Sequence, residues 1–146
     1  YERVQGYIKA GIEEGAEILV GGLGHPEGLE KGNYVKPTVF MNVTNDMRIA
    51  REEIFGPVLS VLTYTTLEEA IDIANDSTYG LAAYIQTNDK EKAYQVANLL
   101  EAGTVAINGF NQEPLAPFGG MKQSGIGREF GEYGLVEYLE PKTILF

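Results

Sequence analysis

The chain has 146 residues, of which 44% are hydrophobic and 22% charged, a composition typical of a globular protein with one sizeable core. Its 21 acidic and 11 basic residues give a formal net charge of −10, which argues against binding to nucleic-acid phosphates or to an anionic membrane surface. The absence of cysteine excludes disulfides, thiolate metal sites and a cysteine nucleophile within these residues. The single histidine, His25, cannot build a zinc site, and the sequence shows no other metal-ligand spacing.

Two features bear on where the protein resides. No apolar run approaches the roughly 20 residues that span a bilayer, and the N-terminus shows no signal-peptide pattern. We therefore expect a cytoplasmic protein, unless a signal lies upstream of these residues. The first residue is Tyr1 rather than Met, which is compatible with a longer chain.

The N-terminal segment predicts a helix, a strand and a loop. Apolar residues recur at helical spacing over residues 4–12, and Gly15 then supplies a stop signal. Residues 18–20 predict a short strand. Residues 21–36 are rich in glycine and predict a surface loop, in which we expect the lone His25 to be solvated rather than catalytic.

The next segment predicts two strands around a short helix. Residues 35–43 have the composition of a strand, but Pro37 interrupts them, and a proline confines a strand to an edge or an irregular position. Residues 46–53 predict a short helix with Asp46 as its N-cap. Residues 58–64 are rich in strand-forming side chains and predict a further strand.

Two helices follow, and each has a capping signal. Thr66 and Glu69 match a capping box, in which the hydroxyl and the carboxylate satisfy free backbone amides at a helix start. Asn88 and Glu91 indicate a second start of the same kind. Strands are predicted at residues 81–87 and 104–107. The resulting order of strand, helix, strand, helix and strand is that of βαβ crossovers in a parallel sheet.

The C-terminal part of the chain has a different character. Residues 108–134 contain seven glycines and two prolines, and we expect loops to dominate there. Residues 135–146 alternate well enough to predict a final strand. A terminal strand of this kind needs an edge to pair with, in its own fold or in a neighbouring subunit.

Three segments are unusual together. They read Glu-Glu-Ile-Phe-Gly-Pro-Val at 52–58, Asn-Asp-Ser-Thr-Tyr-Gly-Leu at 75–81, and Pro-Phe-Gly-Gly-Met-Lys-Gln-Ser-Gly-Ile-Gly-Arg-Glu at 117–129. In this order and spacing, with Ala-Gly-Thr-Val-Ala-Ile-Asn at 102–108, the chain resembles the C-terminal third of the aldehyde dehydrogenase superfamily over essentially its whole length. The resemblance implies an α/β fold with three αβα layers and a mostly parallel sheet.

The resemblance also implies how the chain is organised. Residues 1–122 would form part of a catalytic domain, residues 123–137 a glycine-rich return segment toward the cofactor domain, and residues 138–146 an oligomerisation strand. The expected partners are a small-molecule aldehyde and further copies of the chain in a dimer or tetramer, with no nucleic acid and no membrane. The expected cofactor is NAD or NADP, since the residues that distinguish them would lie upstream.

The first of the three segments is expected to contact the cofactor. Adjacent carboxylates such as Glu52 and Glu53 usually face water, and by themselves they indicate only a helix end. The resemblance implies that the Glu53 carboxylate accepts hydrogen bonds from the ribose hydroxyls of the nicotinamide half of the cofactor. Phe55 would pack near the nicotinamide ring and restrict its position. The turn at Gly56 and Pro57 would hold both side chains in place.

The glycine-rich segment is expected to be structural and to line the substrate path. The glycines at 125–131 imitate a dinucleotide fingerprint, but the third comes one residue late and no strand of a βαβ unit precedes it, so we expect no phosphate loop. The resemblance places Phe110 and Phe118 along the substrate tunnel, where the lack of Lys or Arg near Phe110 hints at a non-ionic aldehyde. We expect Lys122 and Arg128 to be structural, because their loop must satisfy many backbone groups.

The reaction that the resemblance implies needs groups that these residues lack. In the family, a cysteine thiolate attacks the aldehyde, amide donors hold the oxyanion, hydride passes to the nicotinamide, and a glutamate activates the water that releases the acid. Since the sequence has no cysteine, we expect the nucleophile and the general-base glutamate to lie upstream, and these 146 residues alone to be inactive. Glu53 would be a cofactor ligand by position and not a substitute base.

The sequence allows two other interpretations. Ser124 or Thr104 could act as a nucleophile only with His25, which lies in a distant loop, and no nucleophile-elbow motif is present. A non-catalytic α/β module that acts by interaction is the alternative to an oxidoreductase. An upstream segment with a cysteine preceded by a Gly-Gln pair would decide for the enzyme.

Overall fold

A computed structural model describes residues 1–109 and 113–146. The elements in chain order are α1 (Glu2–Glu13), β1 (Glu17–Val20), β2 (Thr38–Met41), α2 (Arg48–Arg51), β3 (Val58–Ser60), α3 (Leu67–Asn75), β4 (Ala82–Ile85), α4 (Lys90–Ala97), β5 (Thr104–Ile107), a 3₁₀ turn (Lys122–Ser124) and α5 (Gly131–Val136). The chain divides into two compact units, Tyr1–Ala70 (the first unit) and Ile71–Phe146 (the second unit). None of the helices in these two ranges combines the length and the hydropathy that a membrane span requires.

The first unit contains a three-stranded sheet in the order β1-β2-β3. The central strand β2 pairs antiparallel with β1 and parallel with β3, and it buries Thr38 and Phe40. Pro37 was predicted to confine this strand to an edge or an irregular position; the edge position is wrong, because β2 begins just after Pro37 and lies in the centre of the sheet, whereas its pairing with β1 does shift register between Ile18 and Val20. The first amide of the strand belongs to Thr38 and donates to the Pro57 carbonyl oxygen at 2.9 Å, so the missing N–H of the proline removes no sheet bond.

Helix α1 packs on α2 and on the buried side of this sheet. Its buried residues Tyr7, Ile8 and Gly11 recur at helical spacing, as an amphipathic helix requires. The core of the unit consists of Tyr7, Ile8, Ala16, Phe40, Val43, Ile49 and Ile54. Gly11 lets the elements approach closely, since a Cβ atom there would lie 2.9 Å from Ile49 Cδ1 and 3.0 Å from Phe40 Cζ.

The ends of the helices and loops in the first unit agree only in part with the ends predicted from the sequence. The helix predicted over residues 46–53 covers only Arg48–Arg51. Asp46 does not cap it; the Asp46 carboxylate accepts a hydrogen bond from the Thr44 hydroxyl, which lowers the pKa of Asp46. The loop predicted over residues 21–36 is confirmed, and Gly15, with φ at 96°, follows the end of α1 as expected.

Both predicted helix starts after β3 are confirmed, with small differences in the caps. The Thr66 hydroxyl accepts from the Glu69 amide at 3.2 Å, but the Glu69 carboxylate accepts from the Thr65 amide, at 2.7 Å, instead of from Thr66. The second helix is capped by Asp89, one residue later than the predicted Asn88. The Asp89 carboxylate accepts from the Lys92 amide at 3.0 Å.

The second unit contains a parallel pair of strands, β4 and β5, with α4 as the crossover between them. The register runs from Ala82 opposite Thr104 to Ile85 opposite Ile107. Two of the three strand pairings in the described chain are therefore parallel, β2 with β3 and β4 with β5. The α/β class and the mostly parallel pairing predicted from the sequence are confirmed.

The C-terminal residues differ from their predicted strand. Residues 131–136 form α5, and residues 139–146 are irregular, so the predicted start of the strand at residue 135 is wrong. A strand exists only where a neighbouring strand supplies hydrogen bonds, and none pairs with residues 138–146 within the described chain. The oligomerisation strand at 138–146 and the domain boundaries at residues 122 and 137 remain predictions.

Two glycines of α1 provide a test of the packing. Gly6 is exposed and a Cβ atom there would meet nothing within 4 Å, whereas Gly11 faces the fully buried Phe40 ring. We expect Gly6→Ala to raise the free energy of unfolding by about 0.5–1 kcal/mol through helix propensity. Gly11→Ala gains the same propensity but must displace packed atoms, so we expect it to be less stable than Gly6→Ala. Urea unfolding of both variants measures the difference; equal stabilisation would contradict the close packing at Gly11.

Candidate functional site

Glu52, at the end of α2, is held by two other residues of the first unit. The Tyr7 hydroxyl donates to Glu52 Oε2 at 2.8 Å, and Arg48 Nε donates to Glu52 Oε1 at 2.8 Å. The hydrogen bonds from Arg48 and then Tyr7 lower the pKa of Glu52, and the carboxylate in turn raises the pKa of Arg48. The Arg48 guanidinium also lies 4.8 Å from the centre of the Tyr7 ring. Glu52 is thus a structural anchor.

Glu53 has different surroundings, although it is the next residue. Its carbonyl oxygen accepts a hydrogen bond from Arg3 Nη2 at 2.6 Å. Its side chain is exposed, and within residues 1–109 and 113–146 its carboxylate has no hydrogen-bond partner. Ile54 returns to the core at 8% exposure, and the Phe55 ring is 82% exposed. The two predicted cofactor residues, Glu53 and Phe55, therefore lie on one short exposed segment with a fixed backbone.

The turn after Glu53 has an unusual backbone. Phe55 has φ at 53°, in the left-handed region that bulky residues rarely adopt. Gly56 follows, and a Cβ atom there would lie 2.8 Å from Val4 Cγ2, so only glycine fits against α1 without movement. Strained residues of this kind cluster at ligand sites, where the surrounding packing enforces them. The packing of Gly56 and Ile54 keeps the Phe55 ring outside the core.

In the second unit, the other two motifs meet at the peptide groups of Gly80. The Gly80 carbonyl accepts from the Gly103 amide at 3.0 Å and from the Met121 amide at 2.8 Å, and the Gly80 amide donates to Ser124 Oγ at 2.9 Å. The backbones approach so closely that a Cβ atom on Gly103 would overlap the Gly119 carbonyl oxygen. These glycines allow the close backbone contacts of the junction, and the absence of a phosphate loop in this segment remains a prediction.

Polar side chains complete this junction. Asn75 Nδ2 donates to the Leu99 carbonyl at 2.8 Å, and Asn75 Oδ1 accepts from the Glu101 amide at 2.9 Å. Lys122 Nζ donates to the Asn75 carbonyl and forms an ion pair with Glu101, both at 2.6 Å. Arg128 Nη1 donates to the carbonyls of residues 120 and 127. The structure thus gives Lys122 and Arg128 the structural partners that were expected of them.

Phe118 is the one predicted tunnel residue that can be placed, because Phe110 lies outside the described residues. Phe118 pairs with Glu129 through two backbone hydrogen bonds of 2.8 and 2.7 Å and is 42% exposed. Its ring centre lies 6.4 Å from that of Phe130. Both aromatic residues line an open groove of about 870 Å³ that Leu81, Leu135 and Tyr138 also line. The groove can accept an apolar group.

Sequence reasoning missed two polar arrangements and misjudged His25. Asn108, with φ at 56°, accepts from the Thr87 amide at 2.8 Å and donates to the Thr87 carbonyl at 2.7 Å, which joins the ends of β4 and β5. The anchoring of Glu52 by Tyr7 was also missed, although Arg48 lies four residues before Glu52 at ion-pair spacing. His25 is partly buried and stacks on the Tyr1 ring at 4.4 Å, so the expectation of simple solvation is wrong.

The sequence profile described as the aldehyde dehydrogenase family matches residues 1–144. The chain belongs to the aldehyde dehydrogenase family. A protein of Staphylococcus aureus (strain USA300) that bears an aldehyde dehydrogenase name is 60% identical over 144 residues, which are 99% of this chain and 30% of that protein. The chain thus spans about 30% of the length of the curated relatives that it matches.

Solved structures of the family share the fold. A mutant of aldehyde dehydrogenase C from Pseudomonas syringae, in complex with NAD+ and octanal, has a TM-score of 0.92 at 54% identity over 95% of this chain and 29% of that one. Mycobacterium tuberculosis aldehyde dehydrogenase with NAD+ has a TM-score of 0.90 at 52% identity, covering 94% and 28%. Betaine aldehyde dehydrogenase from Staphylococcus aureus with NAD+ has a TM-score of 0.88 at 48% identity, also covering 94% and 28%. The expected fold class is confirmed.

Ser124 offers a test of structural against catalytic use. Its hydroxyl accepts from the partly buried Gly80 amide, and Ser124→Ala leaves that amide without its partner. In the full-length protein, we expect Ser124→Ala to lower the free energy of unfolding by about 1–3 kcal/mol and to leave turnover per folded molecule unchanged. The control is Ser77→Ala, because the Ser77 hydroxyl accepts from the Tyr79 amide in an exposed turn, where water replaces it. Denaturant unfolding measures the change in stability, and steady-state kinetics measure the turnover. A loss of turnover at unchanged stability would contradict the structural role and support Ser124 as a nucleophile.

The Glu52 anchor predicts a pH dependence. Because its pKa in the folded state is lowered from the ordinary 4.5, the anchor stabilises the fold above that pH and is lost as the pH falls through the folded-state value. We therefore expect Glu52→Gln to lower the melting temperature at neutral pH. The difference in melting temperature between this variant and the wild type should become smaller below pH 4.5. Glu13→Gln removes an exposed pair with Lys9 at 3.5 Å and should leave a much smaller gap. A pH-independent gap would contradict the anchor.

Proposed function

We propose that the protein to which this chain belongs oxidises an aldehyde to a carboxylic acid with a nicotinamide cofactor. Within that protein, the residues of this chain would supply the contact with the cofactor ribose and part of the substrate tunnel. The observation that carries the proposal is the exposed Glu53 carboxylate without a partner in the described chain, next to an 82% exposed Phe55 ring, in a member of the aldehyde dehydrogenase family.

The chemistry of the two side chains fits the nicotinamide half of such a cofactor. A carboxylate has several acceptor sites on two oxygens and suits a pair of adjacent ribose hydroxyls. An exposed aromatic ring whose backbone is fixed can limit where a flat ring comes to rest. When bound, the cofactor would accept hydride from the substrate. Glu53 would hold the ribose, and Phe55 would restrict the orientation of the ring.

NAD is the cofactor that the comparisons favour. The Pseudomonas syringae, Mycobacterium tuberculosis and Staphylococcus aureus structures all contain NAD+. The groove beside Phe118 is lined largely by apolar and glycine residues, and we propose a non-ionic aldehyde as the substrate. The Pseudomonas syringae enzyme was solved with octanal, an aldehyde of this kind.

The bond-making groups would come from other parts of the protein. The chain contains no cysteine, so the thiolate that attacks the aldehyde and the glutamate that activates water would lie upstream. Glu53 would not replace that base, because its proposed role is to hold the ribose. Without the upstream groups, these 146 residues would not oxidise an aldehyde.

The proposed setting is a cytoplasmic homo-oligomer, a dimer or tetramer. Residues 138–146 expose much apolar surface, including Tyr138, Leu145 and Phe146. Exposed apolar surface of this extent is costly in water and is typical of an interaction surface. We propose that this segment becomes a strand by pairing with a sheet of a neighbouring subunit.

Glu53→Gln in the full-length protein tests the proposed function. The variant keeps the shape of the side chain but removes its charge, and a hydrogen bond to a charged group is worth about 1.5–3 kcal/mol. We expect the Kd for NAD to rise about tenfold or more, with little change in melting temperature, because the side chain is exposed. Isothermal titration measures the Kd. Glu27→Gln, in the exposed loop before β2, serves as the control. Unchanged cofactor affinity and turnover would remove Glu53 from the site.

A further inference from the structure

Helix α1 contacts the segment that carries Glu53 and Phe55 at three positions, residues 52, 53 and 56. Residue 52 is bonded to Tyr7, residue 53 to Arg3, and residue 56 packs on Val4. Residue 54 is buried in the core that Tyr7 shares. Each contact from α1 thus fixes the main chain or a neighbouring side chain, while the Glu53 carboxylate and the Phe55 ring stay exposed.

The Tyr7 hydroxyl is the central contact. Tyr7 is 7% exposed, so its ring has a fixed position in the core and presents the hydroxyl at a fixed place. Tyr7 and Arg48 together occupy both oxygens of Glu52, which fixes the rotation of that carboxylate. Arg48 also donates its amide to Glu14 Oε2 at 2.7 Å, so α2 is attached to the end of α1 as well.

Arg3 adds a second connection one helical turn earlier. Arg3 and Tyr7 are four residues apart and lie on the same face of α1. The Arg3 guanidinium lies 5.6 Å from the centre of the Tyr7 ring and donates to the Glu53 carbonyl at 2.6 Å. Because the bond is made to the main chain of Glu53, it fixes where the side chain begins without occupying its carboxylate.

We propose that Tyr7, Arg3 and Arg48 are positioning residues for cofactor binding, which act through Glu52 and the Glu53 carbonyl on the Glu53 carboxylate and the Phe55 ring. This inference rests on the proposed function, in which those two side chains contact the nicotinamide half of the cofactor. The positioning residues themselves touch neither cofactor nor substrate. Their loss leaves Glu53 and Phe55 in the chain but enlarges the range of positions that both can adopt, so affinity falls.

The experiment compares cofactor affinities in the full-length protein. Tyr7→Phe removes only the hydroxyl, and Glu52→Gln weakens the same contact from the other side. We expect each to raise the Kd for NAD by about three- to tenfold, as the loss of one hydrogen bond to a charged group allows. ADP lacks the nicotinamide and its ribose, so we expect its Kd to be unchanged. The double variant should lose little more than Glu52→Gln alone, because Glu52→Gln already weakens the contact with the Tyr7 hydroxyl.

Two controls separate positioning from general destabilisation and from failure of the proposed function. Glu13→Gln removes the ion pair between Lys9 and Glu13 on α1, which has the same i, i+4 spacing as Arg48 and Glu52 but does not involve the segment with Glu53 and Phe55. This variant should leave the Kd for NAD unchanged. Glu53→Gln reports on the proposed function itself. If Glu53→Gln weakens NAD binding but Tyr7→Phe and Glu52→Gln do not, the positioning role is refuted and the proposed function stands.

The remaining outcomes are equally decisive. An equal loss of NAD and ADP affinity in Tyr7→Phe would show a fold-wide effect and overturn the positioning role. If Glu53→Gln leaves NAD binding unchanged, the proposed function fails, and the inference that rests on it fails too. A weakened Kd for NAD with an unchanged Kd for ADP in both Tyr7→Phe and Glu52→Gln, and no effect of Glu13→Gln, is the result that supports the positioning residues.

Discussion

The hydrogen bond from the Tyr7 hydroxyl to Glu52 joins the centre of α1 to the end of α2, and the path of the following segment depends on it. Glu52 has an extended backbone, with φ at −108° and ψ at 147°, and it ends the helix. From this point the chain must pass Gly56 under Val4 before it enters β3. A different position of Glu52 would therefore shift the start of β3 as well as the exposed side chains between them.

The two units are stabilised in different ways. The first unit has an apolar core around Ile8 and Phe40, whereas Ala93 is the sole buried hydrophobic side chain among the described residues of the second unit. The second unit relies on backbone contacts at Gly80 and Gly103 and on the amide side chains of Asn75 and Asn108. Such contacts fix geometry but bury little apolar area, so their net contribution to stability is modest.

Local signals in the sequence predicted most elements, and they failed where a distant residue decides the outcome. Thr66 and Gly15 act within a few residues, so the start of α3 and the end of α1 could be predicted. Pro37 was misjudged because its effect depends on whether the ladder begins at it or after it, which only the pairing with residues 57–60 determines. No strand among the described residues pairs with residues 138–146, so their alternating sequence was not enough to predict their structure.

The candidate site at residues 52–58 shows the same difference between local signals and the influence of distant residues. The motif at residues 52–58 was recognised as a unit, but its first two glutamates have opposite surroundings that composition cannot separate. The difference arises from Tyr7, 45 residues away in sequence, because a hydroxyl at that place selects which carboxylate becomes the anchor. In extended chain, neighbouring side chains point to opposite sides, so the choice of Glu52 also determines the direction of its neighbours. Glu53 then faces outward, and Ile54 returns to the core.

This alternation gives the two adjacent glutamates different surroundings, because Glu52 is bonded to Tyr7 and Arg48 while the Glu53 side chain is exposed. A shift of the segment by one residue would turn Glu53 toward Tyr7 and Arg48 and leave Ile54 in water, which costs about 1.5–3 kcal/mol of burial for a side chain of that size. The burial of Ile54 and the hydrogen bonds of Glu52 thus both oppose a shift of this segment by one residue. The left-handed φ of Phe55 is held between Ile54 and Gly56, both of which are fixed by the packing of the first unit. The core of the first unit, the anchor and the exposed side chains of Glu53 and Phe55 are consequently one structural arrangement, in which the buried residues determine where the exposed side chains lie.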